Sequence, residues 1–120
     1  MIILDYKDTR PIYEQIVEKF KLLILKGVLT KDEQMPSVRS LAMELSINPN
    51  TIQKAYAELE RQGYIYTVKG RGNFIADSAA LLDERKEELK QRLLQLYCEG
   101  KELGMEKSDF INCLNGIKEE

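Results

Sequence analysis

The chain has 120 residues and a formal net charge of −2, with 18 Lys and Arg against 20 Asp and Glu. That length suits one ordinary domain or a small domain with an appendage, and the charge gives no overall basic signal, so any nucleic-acid contact has to come from local clustering. With no histidine, the commonest general base and metal ligand is missing, and Cys98 and Cys113 form no C-x-x-C pair, so neither a zinc site nor a redox motif is indicated. No apolar run is long enough to span a membrane, and the start "MIILDYKDTR" lacks the basic leader and cleavage site of a signal peptide. The expectation is a reduced, cytoplasmic protein with no metal, no cofactor and no membrane partner.

"PIYEQIVEKFKLLILKG" places Ile12, Ile16, Phe20, Leu23 and Ile24 at helical spacing, with Pro11 at the start and Gly27 at the end. "VLTKDEQMP" reads as a polar connection punctuated by Pro36. "SVRSLAMEL" reads as a short second helix capped by Ser37, with Leu41 and Leu45 on one face. The tight turn "SINPN" leads into a third helix whose core face is Ile52, Ala55, Tyr56 and Leu59. Asn48 is a good N-cap, and Pro49 at the first helical position loses nothing by its missing N–H. Gly63 ends that helix. "YIYTV" and "NFIA", separated by "KGRG", are β-branched and aromatic and read as a hairpin. Three helices followed by a hairpin is the winged helix-turn-helix order. Asp77 or Ser78 opens a fourth helix with the apolar stripe Leu82, Leu89, Leu93, Leu96 and Tyr97, which Gly100 and Gly104 weaken or end. A last short helix carries Phe110, Ile111, Leu114 and Ile117. The predicted fold class is mainly α with a small β-hairpin: a winged helix-turn-helix over 9–77, then a two-helix segment over 78–120.

Charge divides unevenly between these parts. Residues 1–77 carry 11 Lys and Arg against 10 Asp and Glu, whereas residues 78–120 carry 7 against 10, so the acidic part is not expected to face DNA. On the third helix the face away from the core offers Asn50, Thr51, Gln53, Lys54 and Ala57. Asn and Gln pair bidentately with adenine, and Thr bonds a base edge or phosphate or packs on the thymine methyl. Lys54 reaches phosphate, and Arg39 reaches guanine or backbone. Lys69 and Arg71 flank Gly70 in a basic loop tip. The N-termini of the second and third helices, at Ser37 and Asn48, present free N–H groups to phosphate. Taken singly, each residue is an ordinary solvated side chain; what points to DNA is their falling where one duplex touches them all. Tyr6, Tyr13, Tyr64, Tyr66 and Phe74 are read as core or strand packing.

The run "MPSVRSLAMELSINPNTIQKAYAELERQGYIYTVKGRGNFIA" resembles the DNA-binding domain of GntR-family transcription regulators. "PSVRSLA", "NPNTIQKAY" and the "GRGNF" wing resemble the YtrA-type subgroup in particular. Residues 9–77 carry the resemblance strongly, and residues 78–120 only by size and helical pattern. It implies a homodimeric transcriptional repressor whose operator contacts come from Arg39, from Asn48, Asn50, Thr51 and Gln53, and from Lys69, Gly70 and Arg71. It also implies target operons for transport or cell-envelope stress. The sequence departs from many members at Lys31-Asp32-Glu33, where they have a Pro-Gly turn, leaving the loop shape open and the fold unchanged.

The expected partners are therefore double-stranded operator DNA, read at Ser37, Arg39, Asn48, Asn50, Thr51, Gln53, Lys54, Lys69, Gly70 and Arg71, and a second copy of the chain. Leu82, Leu89 and Leu96 recur every seven residues with Leu93 and Tyr97 beside them, and Phe110 and Leu114 add a second apolar surface. Two copies of this helix pair bury both stripes across a two-fold axis. A small-molecule effector between the last helices and the winged domain is a further expectation, with no ligand named by the sequence. The rival reading is a winged-helix protein–protein module, which needs an exposed apolar patch where this chain has amides and cations. No enzymatic activity is expected: there is no Gly-rich phosphate loop with Lys, no H-E-x-x-H and no G-x-S-x-G. Cys98 and Cys113 are read as small, semi-buried apolar residues rather than thiol sensors, since no His or assured cationic cluster lowers either pKa.

Overall fold

The computed structural model of the chain describes residues 3–5 and 7–119; Tyr6 lies outside them. It divides into two compact units, Met1–Leu82 and Asp83–Glu120. In the first, α1 (Ile12–Leu25) buries Ile16, Val17, Phe20 and Ile24 on one stripe. Its end is set by Gly27 at φ +78°, with Gly27 N–H donating to the Ile24 carbonyl and Val28 N–H to Leu23. That is the glycine-closed helix end in which a left-handed residue lets the chain turn back on the last carbonyls.

The second helix, α2 (Val38–Leu45), is capped by Ser37, whose Oγ accepts from Ser40 N–H at 3.0 Å. Residues 46–48 alone separate it from α3 (Pro49–Arg61). Asn48 Oδ1 accepts from Asn50 N–H at 2.8 Å with Pro49 in the first turn, as the sequence predicts. Ile52, Ala55, Tyr56 and Leu59 face the core. Phe20 of α1 meets Tyr56 edge to face, ring centres 5.9 Å apart, and the Tyr56 hydroxyl donates to the Pro36 carbonyl at 2.7 Å. Each large apolar side chain removed from water here contributes about 1.5–3 kcal/mol, so α1 and α3 are clamped through this seam.

β1 (Ile65–Val68) and β2 (Gly72–Ile75) form the expected antiparallel hairpin, with Ile65 opposite Ile75 and Val68 opposite Gly72. The connection before α2 is more than the polar loop the sequence suggests. Asp32 N–H donates to the Ile75 carbonyl at 2.8 Å, Ile75 N–H to Glu33 at 2.9 Å and Met35 N–H to Asn73 at 2.8 Å. Gln34 bridges Phe74 antiparallel. Residues 32–35 thus run along β2 as an edge and place it between them and β1. Asp32 takes the left-handed conformation at φ +66°, and Tyr66 Oη donates to its carboxylate at 2.8 Å.

α4 (Ala79–Glu102) starts in the first unit, where Leu81 packs on the core. In the second unit it continues to a left-handed turn at Gly104 (φ +85°), and α5 (Lys107–Asn115) follows. α5 is opened by a reciprocal cap: Glu106 N–H donates to Asp109 Oδ2 at 2.8 Å. Gly100 does not end α4. It is buried inside the helix, and a Cβ there would collide with the Phe110 ring at Cζ, so the glycine exists for close approach of α5. Tyr97 and Phe110 pack their rings 5.4 Å apart. Ile117 falls after the end of α5 rather than within it. The architecture is mainly helical with one hairpin, a winged helix-turn-helix followed by a helix pair.

Candidate nucleic-acid interface

The residues predicted to meet DNA lie on three pieces of the first unit: the start of α2, the start and outer face of α3, and the tip of the hairpin. Ser37, Arg39, Asn48, Asn50, Gln53, Lys54, Lys69, Gly70 and Arg71 are all exposed, and Thr51 is half-buried. Ser37 and Asn48 each commit a side-chain oxygen to capping. Among the described residues, no hydrogen bond or ion pair occupies the side chains of Arg39, Asn50, Thr51, Gln53, Lys69 or Arg71. By contrast, Arg10 is held bidentately by Asp8, and Arg61 by Glu58. Free amides, hydroxyl and cations at a rigid helix start are the groups that read base edges and phosphates.

Lys54 differs from its neighbours. Its Nζ sits 3.9 Å from the centre of the Tyr13 ring of α1, so its charge is already engaged by a π face. That partner is invisible in the helical pattern of α3.

The tip is a β-turn. Arg71 N–H donates to the Val68 carbonyl at 2.9 Å, and Gly70 supplies the positive φ, +79°, that the third position of such a turn requires. Gln34 Nε2 donates to the Arg71 carbonyl at 2.9 Å. One strand pair in from the tip, Thr67 Oγ1 lies 2.7 Å from Glu60 Oε2 and 2.8 Å from Asn73 Oδ1. Both partners are acceptors and a hydroxyl carries one proton, so Thr67 Oγ1 donates to one of them at a time. This chain of contacts ties the last turns of α3 to both wing strands.

The two largest electrostatic perturbations are at Glu58 and Tyr56. Bonds from Arg61 and then Gln62 pull the Glu58 carboxyl down to about 2, and burial pushes the Tyr56 phenol above its ordinary range. Neither group stands among the free donors. Among the described residues no His, Cys, Asp and Glu side chains gather as a metal site, and no helix is long and apolar enough to cross a membrane.

A second exposed surface belongs to the other unit. Leu89, Leu93, Leu96 and Leu114 are each about half exposed, at 48%, 51%, 57% and 56%. With Phe110 and Met105, Leu93, Leu96 and Leu114 line an apolar groove between α4 and α5.

Comparison with known proteins places these features in context. A family model described as bacterial regulatory proteins, gntR family, matches residues 12–75. The HTH-type transcriptional repressor YtrA of Bacillus subtilis is 43% identical over 108 residues, covering 88% of this chain and 83% of that protein. A transcriptional regulator from Oenococcus oeni superposes with a TM-score of 0.78 at 34% identity, over 96% of this chain and 97% of that one. The DNA-binding domain of AraR, solved in complex with operator ORE1, matches with a TM-score of 0.55 at 30% identity, over 63% of this chain and 93% of that one.

Proposed function

The chain belongs to the GntR family of bacterial regulatory proteins, and from that premise we propose that it is a repressor that binds an inverted-repeat operator as a homodimer. In this reading residues 9–77 bind DNA and residues 78–120 make the dimer. The observation that carries it is the set of uncommitted side chains: Arg39, Asn50, Thr51, Gln53, Lys69 and Arg71 are exposed or half-exposed, and their side-chain polar groups have no hydrogen-bond or ion-pair partner among the described residues. α3 lies in the major groove with its first turn on the base edges, Arg39 and the helix starts meet the backbone or guanine, and the wing tip follows the adjoining phosphates. The AraR complex supports this arrangement by its similarity of fold and by its bound operator.

One α3 reads only a few base pairs. Two of them related by a two-fold axis read half-sites roughly 34–36 Å apart, or at multiples of that spacing. The apolar groove of α4 and α5, with half-exposed Leu89, Leu93, Leu96 and Leu114, supports a second copy as its cover. The test is selection of duplexes from a random-sequence pool, followed by gel-shift titration. Arg39→Ala is expected to cost about 1–3 kcal/mol and to relax specificity at one base pair. If Arg39→Ala and Asn50→Ala both bind the selected duplex like the parent, this surface is not the one that reads DNA.

A further inference from the structure

We propose that Gln34 is a positioning residue for operator binding, a brace that holds the cationic wing tip from the strand edge beside β2; the proposal rests on the reading of the wing as a DNA contact. The backbone bonds from residues 32–35 to β2 reach Ile75 and Asn73 and stop there. Beyond Asn73 the backbone bonds among the described residues are those of the hairpin and its own turn, built on strands of four residues each. Gln34 is the one side chain among the described residues that crosses this gap, its Nε2 donating to the Arg71 carbonyl at 2.9 Å.

Gly72 makes the approach possible. It sits at φ +118°, and a Cβ there would stand 3.2 Å from Gln34 Nε2. The position that must be glycine for its backbone is therefore also the opening through which the amide reaches. Both partners in the bond are exposed, and water satisfies either one when the other is removed, so the bond adds little to the stability of the fold. What it changes is the freedom of Lys69, Gly70 and Arg71. A loop already held in its binding position surrenders less entropy when it docks. Asp32 serves elsewhere, receiving Tyr66 Oη at the middle of β1, away from the tip.

The experiment uses the full chain and the duplex that it selects from a random-sequence pool. Affinity is titrated across a salt series for Gln34→Met, which keeps the length and removes the donor, for Lys69→Ala with Arg71→Ala, and for the three changes together. Gln34→Met should bind about two- to tenfold more weakly, the range of one neutral hydrogen bond, with its melting temperature unchanged. In the background lacking both cations the Gln34 change should have no further effect. If Gln34→Met binds like the parent while the loss of both cations weakens binding, the brace is refuted and the wing contact stands. If removing both cations changes neither affinity nor salt slope, the wing contact itself fails and the brace with it. A Gln34 effect that persists undiminished without the cations also overturns the proposal, since it then acts elsewhere.

Discussion

Lys54 of α3 rests its ammonium on the face of Tyr13 of α1, 3.9 Å from the ring centre. The pair joins the helix that carries the free amides to the helix that anchors it in the core. Tyr13→Leu and Lys54→Ala should each lower stability, and the double variant should lose less than their sum. The coupling should be about 0.5–1 kcal/mol, that of a cation on an exposed aromatic face. Thermal melts of the four proteins measure it; strict additivity would show that the contact carries no energy.

Gly100→Ala sets helix propensity against packing. In an exposed helix interior the change stabilises by about 0.8–1 kcal/mol. Here the added carbon collides with Phe110 Cζ, and overpacking of this kind costs about 1–3 kcal/mol. The variant should melt lower and sediment with less dimer than the parent. A higher melting temperature would mean that α5 shifts aside without penalty.

Leu89→Asp together with Leu96→Asp should leave the winged unit folded and yield a monomer, because a charge buried at the proposed seam is costly. Operator affinity should fall with the loss of the second half-site. Sedimentation at micromolar concentration decides the matter: a persistent dimer places the interface off this stripe.

Gln15 lies in α1 and is 2% exposed. Its Oε1 accepts from Asp5 N–H and its Nε2 donates to the Arg10 carbonyl, both at 3.1 Å. Gln15→Leu strips both groups of their partner and should cost about 1–3 kcal/mol. Hydrogen exchange at the Asp5 amide should accelerate well beyond that of α3 amides, which distinguishes local release of the leading segment from global destabilisation.

The Glu58 carboxyl has its pKa pulled down to about 2 from an ordinary 4.5 by Arg61 and Gln62. A carboxylate whose folded pKa is depressed contributes stability above its unfolded value and loses it as pH falls through the folded one. The contribution is full above about pH 4.5 and fades toward pH 2. Glu58 is half-buried but its Arg61 partner is exposed, so salt weakens the pair. Melts of the parent and Glu58→Gln should differ slightly at neutral pH in low salt and converge by pH 2; a gap that widens on acidification would contradict the assignment.

Apolar periodicity carried most of the fold. Ile16, Phe20 and Ile24 on α1, and Ile52, Tyr56 and Leu59 on α3, are buried where their spacing predicts, because a stripe at 3.6-residue spacing has one way to leave water. Asn48 and Pro49 announced the start of α3 because capping involves only residues adjacent in the chain. What escaped sequence reading was non-local. Residues 32–35 join β2 through backbone bonds, which leave no side-chain signature, and only Met35 among them is buried. Gln15 looks like any solvated helix residue until the leading segment folds over it. Gly100 carries the usual signal of a helix break, yet the reason for it is a ring from another helix. At the candidate site the residue types were legible from their exposure on α3, while the engagement of Lys54 by Tyr13 depends on how two distant helices meet.

The bond between Met35 N–H and the Asn73 carbonyl, 2.8 Å long, brings together the two ends of a stretch that contains α2, α3 and the wing tip. The chain leaves the scaffold at Met35 and rejoins it at Asn73. A loop whose ends already touch can be exchanged as a cassette. Grafting residues 36–72 from a relative should transplant operator preference, provided that the graft retains the side chains at Ile52, Tyr56 and Leu59 that seat it on α1. Selection has the same shortcut available: new target sequences can arise by changes inside this stretch while α1 and the C-terminal helices are inherited unaltered.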